Sequence, residues 1–326
     1  MSTATEFRVG VTLHSFTAEY LASKWSFEDM MELCSYLGGG VEIVGPAHQR
    51  GFPRLTHEFE RQFKSSVERY GLTPTSYGSY ADPFTLVDRD FTLDELADYT
   101  MPQLESAVNL GFPVVRLQYF AAPIVERLMP FVEAHGLKIG YELHAPLTLE
   151  SARTQQLLEQ ITRIDSPLLG VIPDMGIFAR SVPQFRIAAA RARGVPEPIL
   201  QRALRLWEDD VILETALPEL LGMGLEPDKV LALEVMWGSF GRSDPKGLLE
   251  IMPHIVHMHG KYFSIVDGDE PDIRYREAVA ALLTGGYEGW ISSEYEGPGD
   301  VSSFESVQAH QTMIRRHMDD YHRSRH

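Results

Sequence analysis

Cysteine, positive charge and long apolar runs are all scarce in this sequence. Cys34 is the only cysteine among 326 residues, which excludes an internal disulfide framework and is typical of a reducing cytoplasm. The sequence has 29 Lys and Arg residues but 46 Asp and Glu residues, and the resulting net charge of −17 disfavours binding to nucleic acid. The sequence lacks an apolar run of membrane-spanning length and a signal peptide. We therefore expect a cytoplasmic protein that binds neither nucleic acid nor membranes.

A pattern of helix, glycine and strand recurs along the chain. Its first clear example is SFEDMMELCSYLGGGVEIVG, in which Ser26 and Asp29 predict a helix N-terminus, glycines end the helix and VEIVG predicts a strand. The same order returns in ERYGLTPTSYG, VNLGFPVVRLQY, EAHGLKIGYELHAP and GGYEGWISSEYEG. Because a crossover helix must return the chain to the same edge of the sheet, we expect parallel strands.

Eight short apolar runs are candidate strands: FRVGVTLHSF, GVEIVGP, TPTSYGSY, PVVRLQYF, LKIGYELHAP, LLGVIPDMG, HIVHMHGKYF and WISSEYEG. Eight such units predict an α/β fold, the (β/α)8 TIM barrel. The chain exceeds the usual barrel length of about 250 residues, and the surplus falls at about 177–253. We interpret this range as an enlarged helical connection between strands 6 and 7, within a single domain of residues 1–326. The run KVLALEVMWGSF inside it is either part of the connection or a barrel strand.

Charged side chains follow several predicted strands, at the end of the barrel where active sites of this fold lie. Glu142 and His144 are two residues apart and therefore share one face of strand 5. His257 and His259 share a face of strand 7; we favour His259 as a metal ligand and His257 as a residue that orients a ligand or replaces His259.

Two glutamates, an aspartate and a histidine from four consecutive strand ends form the predicted ligand set: Glu142, Asp174, His259 and Glu294. These oxygen and nitrogen ligands suit Mn²⁺, with Mg²⁺, Co²⁺ or Zn²⁺ as alternatives. Each side chain alone fits an ordinary ion pair, but their occurrence at successive strand ends favours a metal site.

At these residues the chain resembles the xylose-isomerase-like barrel superfamily of sugar isomerases, ketose 3-epimerases and the endonuclease IV group. In its epimerase-type members a Glu, an Asp, a His and a Glu from the last four strands hold the metal, which implies the same four positions here. The stretches GYELHAP, SPLLGVIPDMGIF and HMHGKYF are most similar to the α subunit of bacterial C-glycoside deglycosidases. That resemblance implies Mn²⁺, a small β subunit and cleavage of 3-oxo C-glycosides.

Two reactions fit this ligand set. In a deglycosidase, His144 would remove the C2 proton of a 3-oxo C-glycoside and the aglycone would leave by β-elimination; alternatively, His144 orients Glu142. In a ketose 3-epimerase or sugar isomerase, Glu142 and Glu294 would instead move protons on opposite faces of the sugar through a cis-enediolate. The excess of acidic over basic residues disfavours an endonuclease, because such an enzyme needs a basic surface to bind DNA.

Polar residues at the other strand ends are the predicted contacts to the sugar or glycoside: His14, His48, Arg50, Arg116, Gln118 and Lys261. Aromatic residues that would suit an aglycone are Tyr77, Tyr80, Tyr119 and Trp237. The segment LPELLGMGLEPDKVLALEVMWGSF is apolar enough to cover a partner, which would be a second copy of the chain or a small β subunit. An internal core would have the same composition.

Overall fold

Eight parallel strands form one sheet in the computed structural model, which describes residues 6–238 and 241–325. They are β1 (Arg8–Thr12), β2 (Gly40–Val44), β3 (Thr73–Gly78), β4 (Val114–Leu117), β5 (Lys138–Leu143), β6 (Leu169–Pro173), β7 (Met258–Tyr262) and β8 (Trp290–Tyr295). The order in the sheet is β6, β5, β4, β3, β2, β1, β8, β7. Isolated parallel bridges from Val171 to Ile255 and from Asp174 to His259 join its two edges, so the barrel is nearly closed. The predicted barrel and its strands are confirmed.

Helices connect the strands and cover the outside of the barrel. They are α1 (Thr17–Leu21), α2 (Phe27–Ser35), α3 (Gly45–His48), α4 (His57–Tyr70), α5 (Leu93–Leu110), α6 (Val125–His135), α7 (Ala152–Ile164), α8 (Gln184–Ala192), α9 (Glu197–Glu208), α10 (Leu213–Gly222), α11 (Val230–Trp237), α12 (Leu248–Ile251), α13 (Tyr275–Thr284) and α14 (Ser303–Arg323). None of the helices in the described ranges is long and apolar enough to cross a bilayer.

The predicted enlargement lies between β6 and β7. Five helices, α8 to α12, occupy this connection in the described residues, which confirms that it is helical. The run KVLALEVMWGSF contains α11, so its alternative assignment as a barrel strand is wrong; its residues 239 and 240 lie outside the described part of the chain. The assignment of the whole chain to a single domain stays a prediction.

Local sequence signals set the ends of several helices. Ser26 and Asp29 form a capping box at α2: the Asp29 N–H donates to the Ser26 hydroxyl, and the Ser26 N–H donates to the Asp29 carboxylate. At α14 the Ser302 hydroxyl accepts from the Glu305 N–H. Gly111 and Gly136 follow α5 and α6 with φ angles of 83° and 62°, a left-handed conformation that glycine adopts without strain. These caps confirm the predicted alternation of helix and strand.

The barrel strands are buried on both faces, because helices cover the outside and side chains fill the interior. Every residue of β4, β6 and β7 is buried. Four Glu, Lys or Arg side chains within the strands are nevertheless buried: Glu42 of β2 is fully buried, Lys261 of β7 is 1% exposed, and Arg116 of β4 and Glu294 of β8 are each 7% exposed. A buried charge requires a specific partner, so these residues identify the barrel interior as the candidate site.

A buried carboxylate also lies in the loop that follows β7. Glu270 is 3% exposed, and its Oε2 accepts hydrogen bonds from the backbone N–H groups of Asp272 and Ile273. Burial, together with the nearby charge of Asp272, raises the pKa of Glu270 from 4.5 to about 8. The folded chain therefore keeps a proton that the unfolded chain loses between these two pH values.

We expect the free energy of unfolding to fall as pH rises through this window, from 4.5 to about 8, by up to about 1.4 kcal/mol per pH unit from this residue. Glu270→Gln removes the titration and should flatten the profile, whereas the exposed Glu250→Gln should keep the wild-type slope. Urea unfolding from pH 5 to 9 measures the three profiles. Identical slopes for wild type and Glu270→Gln would contradict a protonated Glu270.

Candidate active site

A cavity of about 550 Å³ opens at the carboxyl ends of the barrel strands. The charged and imidazole side chains that line it are His14, Arg116, Glu142, His144, Lys261, Glu294 and Glu296. They come from β4, β5, β7 and β8 and from the turns that follow these strands and β1. In a parallel barrel the carboxyl ends of all the strands lie at the same end of the barrel, which is where active sites of this fold lie.

The four predicted metal ligands meet at the floor of this cavity. Ligand atoms of Glu142, Asp174 and His259 lie within 4.8 Å of one another. His259 Nδ1 is 2.7 Å from Glu142 Oε1 and 3.7 Å from Glu294 Oε2. Asp174 and His259 are buried, whereas Glu142 and Glu294 face the cavity. The structure thus brings the predicted set together.

The unsatisfied atoms of this cluster fit a divalent cation. Asp174 Oδ1 accepts from the Gly176 N–H at 2.6 Å, which fixes the carboxylate. Among the described residues, Asp174 Oδ2, Glu294 Oε2 and both nitrogens of His259 have no aligned hydrogen bond. Buried polar atoms without partners cost free energy, and a cation held between them would remove that cost. Three carboxylates and an imidazole suit Mn²⁺ or a similar ion.

Lys261 places a positive charge beside these acids. Its Nζ lies 3.4 Å from Asp174 Oδ2, 3.2 Å from Glu296 Oε1 and 4.0 Å from Glu294 Oε2. Burial alone would lower the pKa of Lys261, but the three carboxylates outweigh it and raise the pKa above its usual value. Lys261 is therefore an ammonium group at neutral pH.

Arg116 holds Glu142 from the opposite side. Its guanidinium donates to Glu142 Oε2 at 2.9 Å, and both groups are mostly buried. Burial would raise the pKa of Glu142, but the charges of Arg116 and His259 dominate and hold it well below its usual value. Glu142 is therefore a fixed carboxylate anion.

Four of the six predicted substrate contacts line the cavity: His14, Arg116, Gln118 and Lys261. The other two lie elsewhere in the structure: His48 is buried, with the Val44 N–H donating to its Nδ1 at 3.0 Å, and Arg50 is exposed and outside the cavity wall. Of the predicted aromatic residues, Tyr80 lines this cavity, whereas Trp237 lines a separate cavity in the helical connection. Binding roles for all these residues stay predictions.

Sequence reasoning does not single out two acids of this site. Glu42 Oε1 is 3.0 Å from His259 Nε2, and its Oε2 is 3.2 Å from His257 Nε2. Glu296 lies 3.6 Å from His14 Nε2 and raises the pKa of that imidazole. The available signals were a carboxylate inside the buried strand GVEIV and a second glutamate two residues after Glu294 in WISSEYEG.

Two known proteins are similar to this chain over most of its length. The chain is 35% identical over 308 residues to the 3'-dehydrocarminate deglycosidase alpha subunit of a Microbacterium species, in a match that covers 89% of this chain and 88% of that protein. It is 34% identical over 306 residues to a C-glycoside deglycosidase alpha subunit of Arthrobacter globiformis, covering 88% and 83%. The chain belongs to the family of C-glycoside deglycosidase alpha subunits. The resemblance seen in the sequence is confirmed, and membership makes the chain an enzyme.

Solved structures with the same fold are more distant. An L-ribulose 3-epimerase superposes with a TM-score of 0.59 at 12% identity, covering 98% of this chain and 96% of the other. The IolI protein with a bound zinc atom gives 0.57 at 12% identity, covering 97% and 99%. A xylose isomerase domain protein from Planctomyces limnophilus gives 0.53 at 13%, covering 98% and 99%. These similarities confirm the xylose-isomerase-like barrel. No family model matches the chain.

We expect Lys261→Met to lower the free energy of unfolding by about 3 to 5 kcal/mol in chelator-treated protein, because it leaves buried carboxylates without their ammonium partner. Lys64→Met is the matched control: Lys64 pairs with Glu60 on the surface of α4 at 2.6 Å, where an ion pair contributes little. Urea unfolding compares the three proteins. A loss as small as that of the control would show that the carboxylates do not depend on Lys261.

Proposed function

We propose that this chain is the α subunit of an enzyme that cleaves the carbon–carbon glycosidic bond of 3-oxo C-glycosides. The observation that carries this proposal is its 35% identity to a protein named for a dehydro-glycoside substrate, 3'-dehydrocarminate. A dehydro sugar bears a ketone in place of a hydroxyl group, and a ketone makes the neighbouring carbon acidic. The cavity supports the proposal, because it holds a histidine, His144, beside the predicted metal ligands.

The proposed metal centre comprises Glu142, Asp174, His259 and Glu294. The convergence and the unsatisfied atoms of these residues support it, as does the zinc in the structural neighbour IolI. A bound divalent ion, with Mn²⁺ favoured over Mg²⁺, Co²⁺ or Zn²⁺, supplies a Lewis acid for the C3 carbonyl oxygen of the sugar. Asp174 and His259 would hold it from below, and Glu142 and Glu294 from the cavity side.

His144 is the proposed base. Its Nδ1 lies 2.5 Å from the Ala145 carbonyl oxygen, which only accepts, so Nδ1 carries the proton. The lone pair on Nε2 then faces Lys261, whose ammonium donates to it at 2.5 Å. Lys261 must release Nε2 before that nitrogen can accept a substrate proton, and Glu296 at 3.2 Å offers the ammonium another partner.

The proposed reaction is a β-elimination. His144 Nε2 takes the proton from C2, and the electron pair of that bond forms the C1–C2 double bond after transient delocalisation to the C3 ketone. The bond between C1 and the aglycone carbon breaks, and its electron pair stays on that carbon, which takes up a proton. The protonated His144 and the ammonium of Lys261 both face the cavity and are the available acids. The net change moves one proton from C2 to the aglycone.

We further propose that the chain acts with a small β subunit in the cytoplasm. Two relatives described above are named alpha subunits, which implies a partner. The helical connection exposes large apolar side chains that a partner would cover, at Ile212, Leu221, Met223 and Leu231. A second copy of the chain would cover the same surface, so the assembly is a hetero-oligomer or a homo-oligomer.

An NMR time course in D₂O tests the reaction. Protein purified from its natural cells, so that partners stay bound, should release the aglycone from a 3-oxo C-glucoside when Mn²⁺ is present, and lose this activity after chelation. Deuterium at C2 without aglycone release would contradict the elimination and indicate an epimerase or isomerase. Absence of both signals would exclude this substrate class.

His144→Ala should reduce aglycone release by at least about 100-fold, because it removes the proposed base. Metal content should stay at the wild-type level, since His144 is outside the proposed ligand set. His135→Ala is the matched control, because His135 is exposed on α6 and bonds to the Phe131 carbonyl. Turnover by His144→Ala close to that of the control would remove His144 from the mechanism.

Asp174→Asn should lower bound Mn²⁺ to below about a tenth of the wild-type content after dialysis, because an amide is a weaker ligand than a carboxylate. The control is Asp244→Asn, which keeps a side chain able to cap the turn at Pro245–Gly247 and lies outside the ligand set. Elemental analysis of the folded proteins measures the metal. Equal Mn²⁺ in the two variants would contradict Asp174 as a ligand.

A further inference from the structure

Beneath the proposed metal centre lies a buried carboxylate that the reaction does not use. Glu42 is on β2, across the barrel from β7, and its side chain is fully buried. The permanent cations of the site, Arg116 and Lys261, make ion pairs with other acids: Arg116 with Glu142, and Lys261 with Asp174, Glu294 and Glu296. The charge of Glu42 must therefore be balanced by other donors, because a buried carboxylate is costly without them.

Two histidine rings lie beside the Glu42 carboxylate. Glu42 Oε1 lies 3.0 Å from Nε2 of His259, and Oε2 lies 3.2 Å from Nε2 of His257. Both rings thus turn the same nitrogen toward one carboxylate, one ring for each oxygen. The same Nε2 of His257 also lies 2.9 Å from the Ser292 hydroxyl of β8. The Glu42 contacts are close charge contacts and not aligned hydrogen bonds, but a carboxylate cannot donate, so they favour a proton on each Nε2.

The orientation of His259 follows from this contact. With Nε2 directed at Glu42, its other nitrogen, Nδ1, points to the opposite side of the ring, where it lies 2.7 Å from Glu142 Oε1 and 3.7 Å from Glu294 Oε2. Ring nitrogens of a metal-binding histidine are set in this way, since the hydrogen bond of one nitrogen fixes which nitrogen meets the ion.

We propose that Glu42 is a positioning residue of the metal centre, which holds His259 so that Nδ1, and not Nε2, is offered to the cation. The inference rests on the metal centre of the proposed function. It assigns a role to a residue outside the ligand set, and it makes His257 a second support for the Glu42 carboxylate and not a ligand. It also predicts one ion per chain, because Glu42 and His257 orient and do not bind.

The alternative for the same three residues is a second metal site. Glu42, His257 and His259 also have ligand atoms within 4.8 Å of one another. If they bound an ion directly, His259 Nε2 would carry a lone pair in place of a proton, and the chain would take up two ions. Stoichiometry and ring protonation therefore separate the two arrangements.

Titration with Co²⁺ alone, followed by calorimetry and by the visible absorption of the bound ion, tests the proposal without any turnover measurement. We expect one Co²⁺ per wild-type chain, and for Glu42→Gln a dissociation constant at least about ten-fold higher with an altered spectrum. Glu42→Asp keeps the charge and should recover part of the affinity. Glu250→Gln is the matched control: it makes the same substitution at an exposed position outside the site and should keep the wild-type affinity and spectrum.

Each result decides between the proposals. Wild-type affinity and spectrum in folded Glu42→Gln would overturn the positioning role while leaving the metal centre intact. Two Co²⁺ ions per wild-type chain, falling to one in Glu42→Gln, would overturn it in favour of a second metal site. Absence of Co²⁺ binding by wild type would overturn both the inference and the metal part of the proposed function.

A measurement on the wild-type chain covers the case in which Glu42→Gln does not fold. In protein labelled with ¹⁵N-histidine, Zn²⁺ serves as a diamagnetic probe, and His259→Asn identifies the signals of His259. We expect Zn²⁺ to shift Nδ1 of His259 while Nε2 keeps its proton. A Zn²⁺-induced shift of Nε2 with loss of its proton would overturn the proposal.

Discussion

The candidate site depends on how the barrel balances buried negative charge. Within residues 6–238 and 241–325, five carboxylates meet near the carboxyl ends of the strands: Glu42, Glu142, Asp174, Glu294 and Glu296. Their permanent cationic partners are Arg116 and Lys261, which neutralise fewer charges than the carboxylates carry. Histidine side chains stabilise part of the remaining negative charge, and a divalent ion would stabilise more of it. An excess of buried negative charge destabilises the folded chain when no cation is bound, and the same excess makes the site suited to binding one.

These charges are arranged in depth along the barrel. Glu42 and His257 lie at the bottom, where neither side chain meets solvent. His259 lies above them with one nitrogen toward Glu42 and the other toward Glu142. Lys261 and His144 then border the cavity itself. Glu142, which faces the cavity, therefore contacts a histidine whose other nitrogen meets a carboxylate that no substrate reaches.

The sequence predicts well what depends on neighbouring residues. Side chains two apart on a strand share a face, so Glu142 and His144 were found together, and capping residues marked the helix ends. The contacts of Glu42 could not be found in this way, because its partners His257 and His259 lie just before and within β7, more than 200 residues away in the chain. Periodicity also could not separate a buried helix from a strand in KVLALEVMWGSF, since both produce a short apolar run.

The same predicted metal ligands suit both epimerisation and elimination, and the two reactions differ in how many proton-accepting side chains they need. Epimerisation through an enediolate needs two proton-transfer groups on opposite faces of the sugar, and the candidates for these were Glu142 and Glu294. Glu142 is held by Arg116 at 2.9 Å and lies 2.7 Å from His259, so a proton on it would compete with the Arg116 guanidinium. Elimination needs one base at C2, and the Nε2 lone pair of His144 faces Lys261, whose ammonium also has Glu296 at 3.2 Å as a partner. An imidazole whose lysine partner has this second partner, beside a strongly held carboxylate, supports the proposed elimination over a two-base exchange.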